Sequence, residues 1–114
     1  MSKSPITTHV LDTATGFPAQ GIKTVLSQLI DGSFIEIDGG ITNNDGRITD
    51  LLVGKQLTPG TYQMHFALSD YFDTKKTESF YPYADIVFNV KDINCHYHIP
   101  LLLSPFGYST YRGS

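Results

Sequence analysis

The stretch from Thr61 to Leu68, TYQMHFAL, decides the fold class because apolar side chains occupy every second position along it. Successive side chains of a β-strand point to opposite faces, so this alternation predicts a strand with one apolar face. That face consists of the even-numbered residues from Tyr62 to Leu68. His65 lies on the opposite face, where we expect it to meet solvent or another subunit.

Similar short runs occur on both sides of this strand, and turn-forming residues separate them. Residues 85–91 repeat the alternation clearly. Shorter strands or apolar runs are predicted at 6–11, 34–38, 97–103 and 108–112. Asn, Asp, Gly and Pro favour turn conformations, and they predict turns at Asn43–Gly46, Thr58–Gly60 and Ser104–Gly107.

One segment, residues 69–78, has a helical pattern, and Ser69 or Asp70 is its predicted N-cap. It is short enough to depend on tertiary packing for stability. The pattern as a whole therefore predicts an all-β fold. We expect an antiparallel β-sandwich of two sheets, with about eight strands and one short α-helix.

The composition limits the kinds of partner that the chain can have. A length of 114 residues fits a single domain spanning 1–114, and the net charge of −3 includes no basic patch for nucleic acid. No apolar stretch is long enough for a signal peptide or a membrane span, so we expect no membrane partner and a cytoplasmic location. Cys95 has no second cysteine to pair with, and we expect a small buried residue in a strand.

Few residues can do chemistry, because the sequence has no phosphate-binding glycine loop, nucleophile elbow or paired cysteine cluster. His96 and His98 form an H-x-H pair, which a strand would project to one side. Such a pair can act in acid–base chemistry, bind a metal or be structural. For His9 the sequence alone favours a structural role, and for Arg47, which directly follows a turn, it favours a solvated surface residue.

The end of the chain is a further candidate, because an alternating aromatic segment with Tyr108 and Tyr111 runs to the last residues. Chain ends are commonly frayed and of little consequence. Here Arg112 and Gly113 follow, and Ser114 adds a hydroxyl beside the free carboxylate. The pattern predicts an ordered terminus.

Several separate segments together resemble the transthyretin-like 5-hydroxyisourate hydrolases. The matching segments are Thr8–Asp12 followed by Gly16–Ala19, then Thr42–Arg47, Phe80–Pro82 and Tyr97–Ser114. They stand in the family's order and extend over nearly the whole chain. The ending Tyr-Arg-Gly-Ser is similar to that of the hydrolases. Transthyretin itself, which binds thyroid hormone, lacks this ending and does not keep the family's histidine and arginine set.

The resemblance implies an enzyme that hydrolyses the cyclic amide C–N bond of 5-hydroxyisourate, the product of urate oxidase. The product would be 2-oxo-4-hydroxy-4-carboxy-5-ureidoimidazoline, an intermediate of urate degradation. The implied catalytic residues are His9, Arg47 and His98. The implied substrate-binding residues are His9, Arg47, Tyr111 and Ser114.

The resemblance also implies a homotetramer, a dimer of dimers with its active sites in the channel between the dimers. No cofactor or metal is expected, although His9 and the H-x-H pair together offer three imidazoles to a zinc ion. One alternative is a non-catalytic small-ligand binding protein of the transthyretin type. Another is a β-sandwich interaction module whose histidines are incidental.

Overall fold

The computed structural model describes residues 4–113 as two β-sheets packed face to face with one short helix. The helix, α1, is Ser69–Thr74. The strands are β1 Ile6–Asp12, β2 Phe17–Pro18, β3 Lys23–Ile30, β4 Ser33–Ile41, β5 Arg47–Leu51, β6 Gly60–Ala67, β7 Tyr83–Val90, β8 Tyr97–Ser104 and β9 Gly107–Thr110. The predicted fold class, a two-sheet β-sandwich with one short helix, is confirmed.

The first sheet is built around β1, which pairs with three other strands. One edge of β1 pairs with β5 over residues 6–9 and with β2 over residues 11–12. Its other edge pairs with β8, which in turn pairs with β9. The β1–β8 pair is parallel, whereas all other strand pairs in the described chain are antiparallel. This one parallel pair brings strands from the two ends of the sequence side by side.

The second sheet has the order β4-β3-β6-β7, and its inner face packs on the first sheet. Strand β6 buries every second residue, Tyr62, Met64 and Phe66, as its alternation predicts. From the first sheet, β1 contributes Ile6 and Val10 to the same core. Burial of this apolar surface is the main favourable contribution to folding. The outer faces of the two sheets do not contribute to this core.

Helix α1 ends four residues earlier than predicted, and neither predicted N-cap forms. Its N-cap position is Leu68, without a side-chain cap. The backbone replaces the cap, because the amides of Leu68 and Ser69 both donate to the carbonyl of Pro82, at 2.9 and 3.0 Å. Tyr71 joins the helix to the end of β1, since its hydroxyl donates to Oδ2 of the buried Asp12 at 2.7 Å.

The expectation for Cys95 is wrong, because this residue is exposed. It lies in the turn between β7 and β8, where its amide donates to the carbonyl of Asp92 at 3.2 Å. The short turn ends before the next strand begins at Tyr97, so Cys95 has no sheet face to enter. No helix within residues 4–113 has both the length and the apolar character needed to cross a membrane.

Candidate active site

Strand β1 carries the first elements of the site on its outer face. Its buried residues alternate with the half-buried Thr7, His9 and Leu11. This is the period of two that a strand with one core face must have. Thr7 and His9 therefore project to the same side, away from the core.

Strand β5 places Arg47 directly opposite His9 in the antiparallel pair. The turn before β5 sets the position of Arg47, because Oδ1 of Asn43 accepts hydrogen bonds from the amides of Asp45 and Arg47, at 2.9 and 3.0 Å. Gly46 has a positive φ of 73° and lies so close to the backbone of Val10 that a Cβ would clash. The Asn-Asn-Asp-Gly segment is thus the means by which an exposed arginine is held beside β1.

Strand β8 adds His98 to the same face. In the parallel register His98 is opposite Thr7, and Pro100 is opposite His9. Neighbouring strands lie about 4.8 Å apart and two residues advance by about 6.6 Å, so the Cα atoms of His9 and His98 are about 8 Å apart. Three of the residues implied by the resemblance, His9, Arg47 and His98, therefore lie on one outer face, contributed by three adjacent strands.

Thr7 connects the two histidines of the H-x-H pair. Its Oγ1 lies 2.8 Å from Nδ1 of His98 and 2.9 Å from Nε2 of His96. Nδ1 of His96 is 3.1 Å from the carbonyl oxygen of Ser4. Sequence reasoning missed Thr7. Its spacing of two residues from His9 is the signal that could have placed it on the same face.

Both site histidines have a pKa below the ordinary value. Burial lowers the pKa of His9 most, and the Arg47 guanidinium lowers it further; a hydrogen bond to the Asp45 carbonyl and the charge of Asp45 act in the opposite direction. Burial is also the largest cause for His98, followed by Arg47. His96 and His9 lower the pKa of His98 further. The surroundings therefore favour neutral imidazoles, which can accept a proton near neutral pH.

The chain terminus approaches the site from the other side of His98. The amide of Gly113 donates to the carbonyl of His98 at 2.9 Å, in the same register that joins β8 to β9. A Cβ on Gly113 would lie 2.5 Å from Cδ2 of His98, so only glycine lets the chain pass this close to the ring. The predicted ordered terminus is confirmed as far as Gly113, and Ser114 lies outside the described residues.

Tyr111 shares a groove with His98. A groove of about 340 Å³ runs along the open edge of the sandwich, and Tyr111, Arg112 and His98 are among its lining residues. The guanidinium of Arg112 lies 4.7 Å from the ring centroid of Tyr97. Tyr111 is 60% exposed. His9 and Arg47 do not line this groove, which meets the site only at His98.

The remaining histidine, His65, lies on the other sheet. It is opposite Asp85 in the β6–β7 pair, and its Nδ1 lies 2.5 Å from Oδ1 of Asp85. Among residues 4–113, no three His, Cys, Asp or Glu side chains are grouped closely enough to hold a metal ion. The first sheet thus offers two imidazoles with lowered pKa and one guanidinium, a set suited to binding a polar planar molecule and accepting a proton.

Comparison with known proteins assigns the chain to a family. A family model described as the HIUase/Transthyretin family matches residues 6–113. The 5-hydroxyisourate hydrolase of Mus musculus is 48% identical over 113 residues, which cover 97% of this chain and 96% of that protein. The structure of Klebsiella pneumoniae 5-hydroxyisourate hydrolase is 36% identical with a TM-score of 0.80, covering 100% of this chain and 94% of that one. Sea bream transthyretin in complex with thyroxine is 32% identical with a TM-score of 0.90, covering 96% and 94%. With a family model that matches nearly its whole length, this chain belongs to the HIUase/Transthyretin family.

Proposed function

We propose that this protein is a hydrolase that opens the cyclic amide C–N bond of 5-hydroxyisourate. The observation that carries the proposal is the juxtaposition of His9, Arg47 and His98 on one outer face, with both imidazoles biased toward the neutral form. The named hydrolase of Mus musculus, 48% identical over nearly the whole chain, supports the same activity. The whole chain would then form one hydrolase domain.

Fold similarity does not decide between the activities found in this family. The transthyretin structure has the higher TM-score, 0.90 against 0.80 for the bacterial hydrolase. The same sandwich can therefore support hormone binding or hydrolysis, and function must be argued from the site. Two neutral histidines beside an arginine are a useful set for hydrolysis, whereas a purely apolar ligand would not require them.

The reaction adds water to a ring carbonyl and breaks the bond from that carbon to nitrogen. A neutral imidazole, on His9 or His98, accepts a proton from the attacking water. Arg47 binds the anionic substrate and stabilises the negative charge that develops on the carbonyl oxygen. The departing nitrogen takes up a proton as the bond breaks, and the carbonyl carbon becomes the carboxylate of 2-oxo-4-hydroxy-4-carboxy-5-ureidoimidazoline.

The proposal gives the end of the chain a part in substrate binding. Tyr111 and Ser114 would line the site beside His98, since the terminal segment stays in register with β8 as far as Gly113. A C-terminal extension would add atoms where the chain approaches His98. We therefore expect a protein with a short C-terminal tag to lose activity, whereas the same tag at the N-terminus should have less effect. Full activity of the C-terminally tagged protein would remove the terminus from the site.

We also propose that the protein functions as a homotetramer, a dimer of dimers. The catalytic face is open in the single chain, while hydrolysis benefits from a site that excludes bulk water. The outermost strands β7 and β9 present free edges and exposed apolar side chains, among them Val87 at 54% exposure. A second copy would cover both features. Sedimentation at micromolar concentration should give a mass near four chains, and a stable active monomer would contradict this.

The activity is tested by generating 5-hydroxyisourate from urate with urate oxidase and following its ultraviolet absorbance. The substrate also decays unaided, so the wild-type protein is compared with His98→Ala and His65→Ala at equal concentration. Acceleration by the wild type and by His65→Ala, but not by His98→Ala, supports both the activity and the site. Decay at the unaided rate in all three rejects the hydrolase and favours a transthyretin-type binding protein, which the likeness to the thyroxine complex makes the second candidate.

A further inference from the structure

A chain of three hydrogen bonds leads from the backbone to the His98 ring. It begins at the carbonyl oxygen of Ser4, passes through both nitrogens of His96 and the hydroxyl of Thr7, and ends at Nδ1 of His98. The three separations are 3.1, 2.9 and 2.8 Å, all within hydrogen-bonding distance. Each link connects groups that are remote in sequence, so the tertiary fold alone assembles it.

The direction of every bond in this chain follows from its first member. A carbonyl oxygen can only accept, so Nδ1 of His96 must donate to Ser4. With His96 in its neutral form, its Nε2 then carries no proton and accepts a hydrogen bond from the Thr7 hydroxyl. The hydroxyl has one proton, so its oxygen must accept from the next group, which is Nδ1–H of His98.

We propose that Thr7 and His96 are positioning residues that hold His98 as the Nδ1–H tautomer and so make Nε2 of His98 the proton-accepting atom of the site. This inference rests on the proposed hydrolase function and deepens it by naming the atom that takes the proton from water. Nδ1 of His98 is turned to Thr7 and is occupied. The ring is thereby fixed in orientation as well as in tautomer, which a lone strand histidine would not be.

His9 is the other candidate base, and it lies opposite Arg47 on the same outer face. The side-chain relay through Thr7 and His96 ends on the ring of His98 and not on that of His9. His9 is therefore suited to binding and orienting the substrate or the water, while the relay serves His98.

The first test is spectroscopic and needs no substrate. Long-range ¹H–¹⁵N correlation spectra of the full-length wild-type protein distinguish a protonated Nδ1 from a protonated Nε2. The inference expects His98 to have its proton on Nδ1 at a pH where His96 is neutral. A wild-type spectrum with the proton on Nε2 of His98 would overturn the inference, whatever the variants do.

The second test compares three variants. Thr7→Val keeps the shape and removes the hydroxyl, Thr7→Ser keeps the hydroxyl, and Thr13→Val is the control. Thr13 directly follows β1, and its hydroxyl donates to the carbonyl of Leu103 in β8 at 3.1 Å, so its loss also removes a hydrogen bond to β8 without touching a histidine.

We expect Thr7→Val to lose the Nδ1–H preference and to lower kcat about tenfold or more with a smaller change in KM, since a general base is impaired rather than a binding group. Thr7→Ser should restore both tautomer and kcat, and Thr13→Val should retain both. A folded Thr7→Val with the wild-type kcat would overturn the role of the relay. If the wild-type protein does not hydrolyse 5-hydroxyisourate, the proposed function fails, and the spectrum still decides the tautomer.

Discussion

The two outer faces of the sandwich both carry histidine, but the neighbours of these histidines carry opposite charges. On the first sheet, His9 and His98 lie near the Arg47 guanidinium, which lowers the pKa of each. On the second sheet, His65 contacts the carboxylate of Asp85 and packs on the ring of Tyr83 at a centroid distance of 5.0 Å. A neighbouring cation disfavours the imidazolium ion, so the Arg47 guanidinium favours His9 and His98 as proton acceptors. The adjacent charge therefore distinguishes the two faces.

The largest expected effect separates the two faces by their activity. His98→Ala removes the proposed base, and general-base catalysis is typically worth about 10²–10⁴ in rate, so kcat should fall by that order. His65→Ala removes a histidine from the other face and should leave kcat near the wild-type value. Initial rates of 5-hydroxyisourate consumption measure both. An equal loss in the two variants would show that the faces do not differ in function.

Replacement of Arg47 tests whether its charge lowers the pKa of the site histidines. Arg47→Gln should lower kcat/KM by about 10²–10³, because it removes a charge that stabilises the transition state. A reaction that needs neutral histidine loses rate as the pH falls through the histidine pKa, which here lies below the ordinary 6.5. Without Arg47 that pKa rises, so the acid limb of the pH–rate profile should move to higher pH.

Arg47→Lys is the control for this prediction because it keeps the positive charge. Its acid limb should stay near that of the wild type even if kcat/KM falls through loss of the guanidinium geometry. If Arg47→Gln and Arg47→Lys have the same acid limb, the charge of Arg47 does not set the protonation of the site.

A smaller effect is expected from a methyl group placed against the His98 ring. Gly113→Ala would put a Cβ 2.5 Å from Cδ2 of His98, so the ring or the chain terminus must move. Displacement of a catalytic group by about 1 Å can cost up to about 10² in rate. Gly107→Ala is the matched control, since its Cβ would meet only the Ser104 hydroxyl at an ordinary 3.7 Å. Similar activity of both variants would mean that the site does not depend on this close approach.

The smallest expected effect concerns stability on the second face. Asp85→Asn removes the charge that pairs with His65, and both side chains of this pair are about one-third exposed. Exposed ion pairs contribute about 0–1 kcal/mol, so the free energy of unfolding should change by less than about 1 kcal/mol. Urea denaturation measures this change, and kcat should be unaffected. A large loss of activity would place this face in the functional surface.

The sequence predicts the regularly alternating strand β6 and misses strands such as β3 and β5. Strand β6 was predicted within one residue at each end, because its period of two is unbroken. Strand β3 was not predicted, since a register shift between Leu26 and Ser27 buries both residues and interrupts the period. Strand β5 was not predicted, because it is short and three of its five residues, Arg47, Thr49 and Asp50, are polar.

The candidate site was predictable as a set of residues but not as an arrangement. His9, Arg47 and His98 were named through the family resemblance, because individually each looked structural or ambiguous. Their meeting depends on the register of β1 with β5 and β8, which long-range pairing sets. The spacing of Thr7 from His9 indicates a shared face, but its contacts with His96 and His98 depend on that register.

The parallel pairing of β1 with β8 also determines at what stage of folding the site can form. Thr7 and His98 are separated by 91 positions, whereas His9 is opposite Arg47 of β5. In a growing chain β5 follows β1 closely, whereas β8, which carries His98, comes much later. Contacts this distant in sequence are slow to form because a long loop must close first. A chain that lacks β8 would therefore have an unpaired edge on β1 and no hydrogen-bond relay to His98.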